Sequence, residues 1–146
     1  MANPKENGTK KEVLMNVAGT ILQPVAEALA SGKFIEPDGG PVAEGEKEIG
    51  EFTDMEKALY TEFSRLFDEC AAVVESGKEK PDNFKEKESL WKAYKELLNA
   101  SCRRLGEVTW EGKGIGFREG YKIVALPKGE EDEMGRRLAV MMFGGM

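Results

Sequence analysis

Histidine is absent from this chain. Without it the usual Ser–His–Asp and Cys–His arrangements for nucleophilic catalysis cannot be built. The common zinc sites and the Glu-x-x-His pattern of helical di-iron proteins go with it. So does the side chain that most readily exchanges a proton near neutral pH. Cysteine is scarce: Cys70 and Cys102 are the only two, and each falls inside a helical stretch. If those helices fold back near residue 80, the thiols sit roughly 15–20 Å apart at about 1.5 Å rise per residue, too far to bridge. They read as free core thiols in a reducing, cytoplasmic compartment. No apolar run approaches the ~20 residues of a membrane span, and the polar start Met1–Lys11 carries no leader-like core. Positive charge is not in excess either. The net charge is −6, which opposes general nucleic-acid binding and attraction to anionic lipid.

What is present suits a soluble globular protein. Of 146 residues, 40% are hydrophobic and 33% charged. A single domain over 1–146 is the simplest division, with 1–8 expected to be a disordered N-terminus. Thr9 and Glu12 form a capping-box pattern opening a first helix over about 10–31. Leu14, Val17, Ile21, Val25 and Leu29 give its apolar period, and Pro24 predicts a kink near Leu22–Gln23. Residues 33–52 carry repeated Gly and Pro with no sustained period, and read as a long loop.

Two amphipathic stretches dominate the centre. Thr53-Asp54-Met55-Glu56 is a second capping box. Met55, Leu59, Phe63, Leu66, Cys70 and Val73 then form a seam ended by Gly77, while Glu62 and Glu69 read as solvent-facing. After a break containing Pro81, a weaker cap at Asn83 and Glu86 opens a third helix. That helix is expected to bury Leu90, Trp91, Tyr94, Leu97, Leu98, Cys102 and Leu105, with Gly106 as its stop. The two predict an antiparallel helical hairpin.

Beyond Gly106 the pattern turns to β. Glu107–Glu111 alternates, Ile115–Phe117 is short and extended, Arg118-Glu119-Gly120 is a turn, and Tyr121–Leu126 is a strand ended by Pro127. Residues 128–137 read as an acidic linker, and the apolar tail Leu138–Phe143 as a docking strand or a helical turn. The fold class expected is α+β, mainly α: three helices around an antiparallel hairpin core, plus a small C-terminal antiparallel β-hairpin or meander.

No constellation here identifies a chemistry, and no metal site or cofactor is expected. The glycine-rich stretch 112–120, with Lys113 and Arg118 in it and Arg103 and Arg104 before it, gathers four cations that suit an anion. It lacks the Gly-x-x-x-x-Gly-Lys-Ser/Thr of a P-loop and the strand–turn–helix context of a dinucleotide site. Glu48 and Glu51 have a magnesium-motif spacing but precede the helix that would present them. The aromatics Trp91, Tyr94, Trp110, Phe117 and Tyr121 suit core packing better than ring stacking. Acidic residues dominate 33–75 and basic ones 78–128.

The leading expectation is therefore a non-enzymatic interaction or regulatory protein that self-associates as a homodimer or binds another protein, with Met141, Met142 and Phe143 as contacts. The alternative is a phosphate-, nucleotide- or small-anion-binding protein, enzymes included, using Arg103, Arg104, Lys113 and Arg118. An acidic mimic of nucleic acid built on 33–75 is a third idea.

Overall fold

The structure, a computed structural model, describes residues 22–106, 114–127 and 132–143, with Phe143 described by its backbone alone. Expectations for 1–21, for the strand at 107–111, for Lys113 and for 128–131 lie outside the described residues. In chain order the elements are helix α1 (residues 22–31), strand β1 (Lys47–Glu51), helices α2 (Asp54–Ser76) and α3 (Phe84–Cys102), strands β2 (Ile115–Arg118) and β3 (Lys122–Ala125), and helix α4 (Glu133–Phe143). The class is α+β, mainly α, with a three-stranded antiparallel sheet ordered β1-β3-β2.

The helical hairpin forms as its period requires. Thr53 accepts a hydrogen bond from the Glu56 N–H, and the Glu56 carboxylate accepts one from the Thr53 N–H, closing the capping box. Gly77 ends α2 in the left-handed conformation, φ 69°, which a side chain would resist. Phe63, Phe67, Trp91, Tyr94 and Leu98 are buried from both helices, each contributing about 1.5–3 kcal/mol by leaving water. Rings stack through the interior: Phe63 against Phe67 at 5.3 Å, Phe67 edge-on to Trp91 at 5.1 Å, and Phe52 edge-on to Phe117 at 4.8 Å. Cys70 and Cys102 are buried free thiols.

Several local expectations are corrected. Asn83 makes no side-chain cap bond. Met55 is exposed, and Leu97 is 40% exposed on the outer side of α3. Glu62 is buried, because α2 is covered all round over residues 58–64. Thr61 Oγ1 there accepts the Ile35 N–H at 2.9 Å, so the chain leaving α1 lies over the side the charge pattern marks as outer.

The span 33–52 is not wholly loop, since its last residues are β1. Only Ile49 in Lys-Glu-Ile-Gly-Glu is a strong strand former, and β3 supplies the pairing. The register shifts between Glu48 and Gly50, leaving Ile49 as a bulge. The hairpin between β2 and β3 turns through Gly120 at φ 77° and Tyr121 at φ 59°. Tyr121 is held there by the Phe52 N–H on its carbonyl, 2.9 Å, and by Lys57 Nζ 4.8 Å from its ring centre.

The 128–137 linker is also corrected at its described end, where α4 starts at Glu133. Met134, Leu138, Met141 and Met142 share the face of α4 that packs on the core, at the four- and three-residue steps of a helix. The tail is a docked helix.

Candidate functional site

Alternation along β2 turns Ile115 and Phe117 to the core, and Gly116 and Arg118 to the opposite face. That outer face should meet water, yet Arg118 is buried. Three segments converge on it. Its Nε and Nη2 donate side-on to Glu46 at 2.9 and 2.6 Å, just ahead of β1. Nη1 donates to Asp132 at 2.7 Å, where α4 begins, and to the Phe117 carbonyl at 2.8 Å. Charge-assisted, forked bonds of this kind are the strong ones. The Glu46 carboxyl is held below its usual value chiefly by this hydrogen bonding, against the pull of burial. Arg118 is pushed up by Glu46 first, against burial, with Asp132 adding to the rise.

Two glycines make room for the guanidinium. A Cβ at Gly116 would stand 2.8 Å from Arg118 Nη1, and one at Gly39 would stand 2.3 Å from the Phe117 carbonyl oxygen and 2.9 Å from Arg118 Nη1. The glycine at 116 therefore serves close packing around an arginine.

Beside this clamp opens a cleft of about 350 Å³ between the 37–39 turn, Tyr60 of α2, β2 and the start of α4. Arg118 and Arg137 line it, and both face carboxylates: Arg118 as above, Arg137 at 3.9 Å from Asp68. Asp38 and Glu133 stand exposed at its rim. Asp132 lines it as well. Burial first, then Asp38, Asp68 and Asp132, raise the Tyr60 phenol well above its ordinary value. Asp68 is raised by burial and by Asp38 and Glu75 in spite of Arg137.

The remaining cations of the glycine-rich hypothesis lie elsewhere. Arg104 joins a second network under α2. Its guanidinium and the Ser101 hydroxyl both donate to the fully buried Glu56 carboxylate, with Arg104 Nη2 at 2.9 Å from Oε1. It also donates to the Ser101 and Glu51 carbonyls at 3.0 and 3.1 Å. Arg103 is exposed on the 3-10 turn that closes α3. Neither Arg103 nor Arg104 lines the cleft beside Arg118, so the structure does not bring the described members of the quartet together there. The signal for the pairing lay in carboxylates distant in sequence, Glu46, Glu56 and Asp132, which spacing alone cannot connect.

Of the expected interaction residues, Met141 and Met142 are half-buried on the chain's own core. Lys95 Nζ, on a side chain only 1% exposed, lies 3.4 Å from Met142 Sδ. The side chain of Phe143 lies outside the described residues. Glu48 and Glu51 sit on β1, and among the described residues no group of three or more Cys, Asp or Glu side chains is placed to hold a metal ion. No helix among them is long and apolar enough to cross a membrane. Cys102 is pushed up to about 12 by burial and then by Glu56, and Cys70 is raised by burial and then by Glu88, so neither is a poised nucleophile. Comparison of the chain with protein families, with curated proteins and with solved structures finds no match.

Proposed function

We propose that this chain is a non-enzymatic, cytoplasmic interaction or regulatory module that self-associates. The observation that carries the reading is apolar side chains left open on every described helix, Leu22 and Leu29 on α1, Met55 and Val74 on α2, Leu97 on α3 and Val140 on α4, of which Leu97 and Val140 are 40% and 60% exposed. Each helix buries its opposite side in the core, so these side chains are available to a partner without rearrangement. Buried free thiols support a reducing compartment. The rival reading, an anion bound by Arg103, Arg104, Lys113 and Arg118, loses support because Arg104 and Arg118 already face buried carboxylates.

Sedimentation of the full chain over a wide concentration range tests the proposal. A reversible dimer that weakens in Leu97→Lys or Val140→Lys is the expected result. A chain that stays monomeric at every concentration overturns it.

A further inference from the structure

We propose that the cleft beside Arg118 takes a free amino acid with an apolar side chain, its carboxylate held by Arg137 and its ammonium by Asp38 and Glu133. The proposal goes beyond self-association and does not depend on it, since a chain that stays monomeric can still bind such a ligand.

The cleft carries charges of both signs that do not neutralise one another. Glu133 and Arg137 stand one turn apart on α4, and both line it. A glutamate four residues ahead of a cation ordinarily closes an ion pair along the helix. Among the described residues these two form none. Arg137 lies instead over the Phe67 ring, 5.1 Å from its centre, with Asp68 at 3.9 Å from Nη2. That is longer than the ~3.2 Å reach of an N–H···O bond, and Arg137 donates no hydrogen bond to any described residue. A planar fork of donors is thus steadied on an aromatic face and left unfilled. Its complement is a carboxylate, taken side-on. Arg118 cannot serve in its place, because Glu46, Asp132 and the Phe117 carbonyl already occupy it.

Asp38 stands exposed on the 37–39 turn. Its charge helps to raise both the Tyr60 phenol and the Asp68 carboxyl, so it faces the cleft from the side opposite α4. Asp38 and Glu133 together suit an ammonium. Behind the charges the lining is apolar: Tyr60 and Phe117 are each 2% exposed with their rings edge-on at 6.1 Å, and Met134 is half-buried. A volume of about 350 Å³ lies at the low end of the roughly 300–1,000 Å³ of small-molecule sites and suits a molecule of amino-acid size.

Other classes of ligand fit less well. A metal ion finds no group of three Cys, Asp or Glu side chains among the described residues. An inorganic anion meets Asp38, Asp132 and Glu133, and a simple amine leaves Arg137 unused. A zwitterion answers both signs at once. Because the 37–39 turn, α2, β2 and α4 all contribute, a bound amino acid would tie together four segments distant in sequence and raise the stability of the fold.

NMR titration of the nitrogen-labelled full chain with L-phenylalanine tests the proposal. Saturable shifts at millimolar ligand are expected at 37–39, Tyr60, 117–118 and 132–137. Two analogues separate the charges: phenethylamine lacks the carboxylate, and N-acetyl-L-phenylalanine lacks the ammonium. Each should bind about ten- to hundredfold more weakly, as loss of a charge-assisted contact requires. Asp38→Asn and Arg137→Gln change side chains outside the core, and each should weaken L-phenylalanine by a similar factor. No saturable shift, shifts that map elsewhere, equal binding of either analogue, or unchanged binding in both variants overturns the proposal. Sedimentation reads self-association separately, so either reading can fail while the other stands.

Discussion

Glu56 and Arg104 meet across 48 residues of sequence: the carboxylate has no exposed surface, and the guanidinium closes over it from the end of α3. Glu56 also completes the cap of α2 through the Thr53 N–H. One carboxylate thus ties the start of the helical hairpin to its finish. Burial works to raise it, but Arg104, Ser101 and the Thr53 N–H together hold it below its usual value. Arg104→Met would leave a buried charge short of partners. Arg104 is 38% exposed and solvent screens part of the effect, so the expected loss is about 1.5–3 kcal/mol in urea unfolding. Glu56→Gln in the same background should recover part of it, because the charge is gone.

Arg118 should be less forgiving. It and both its carboxylate partners are buried, and breaking such a group costs about 3–5 kcal/mol. Arg118→Met should lose that much by chemical denaturation. Arg118→Lys should rescue little, since a lysine cannot fork toward Glu46 and Asp132 at once.

Gly39 and Gly77 separate two reasons for a glycine. Gly39→Ala drives a methyl into the Phe117 carbonyl oxygen and should cost about 1–3 kcal/mol by overpacking. Gly77→Ala meets no atom within 4 Å but sits at φ 69°, so about 1 kcal/mol of backbone strain is expected. Thermal unfolding of both variants should rank them in that order.

Acid should destabilise the protein in a defined window. Glu46 and Glu56 are lowered from the ordinary 4.5. Their stabilising contribution is complete above that value and is lost as pH falls through their lowered values. Asp68 runs the other way: its raised carboxyl disfavours the folded state while ionised, and that penalty is relieved as pH falls through its raised value. Unfolding free energy measured from pH 7 to 3 should hold near neutrality, then fall below about pH 4.5. Glu46→Gln should make the fall shallower.

The two thiols should be silent in the native protein. Both are buried with raised pKa, so maleimide labelling should run about a hundredfold slower or less than in urea, set by opening of the fold.

How far the chain could be read depended on how local each cause is. The hairpin was legible because Leu59, Phe63, Leu66 and Cys70 repeat at helical steps, and because the cap at Thr53 and the stop at Gly77 are short-range. The turn at Gly120 was legible for the same reason. β1 was not, since Lys47–Glu51 has no intrinsic strand character and exists through β3. The cover over Thr61 and Glu62 was hidden too, as nothing in α2 announces a neighbour on its polar side. α4 was half visible: Met134, Leu138, Met141 and Met142 carry a helical period, but the acidic run before them disguised a favourable helix start as a linker. For the candidate site, Arg103 and Arg104 were read at a helix end, where the 3-10 turn Arg103–Leu105 lies, but Arg118 was read in the turn and is the last residue of β2. The carboxylates that face Arg104 and Arg118 are brought by tertiary folding, and they turn two members of an apparent anion trap into internal rivets.

The bulge at Ile49 has a last implication. β1 is short, mostly exposed, charged at Lys47, Glu48 and Glu51, and kinked in its middle. A border of this kind gives an incoming strand no regular ladder to zip onto. Addition of a further strand is opposed at that margin.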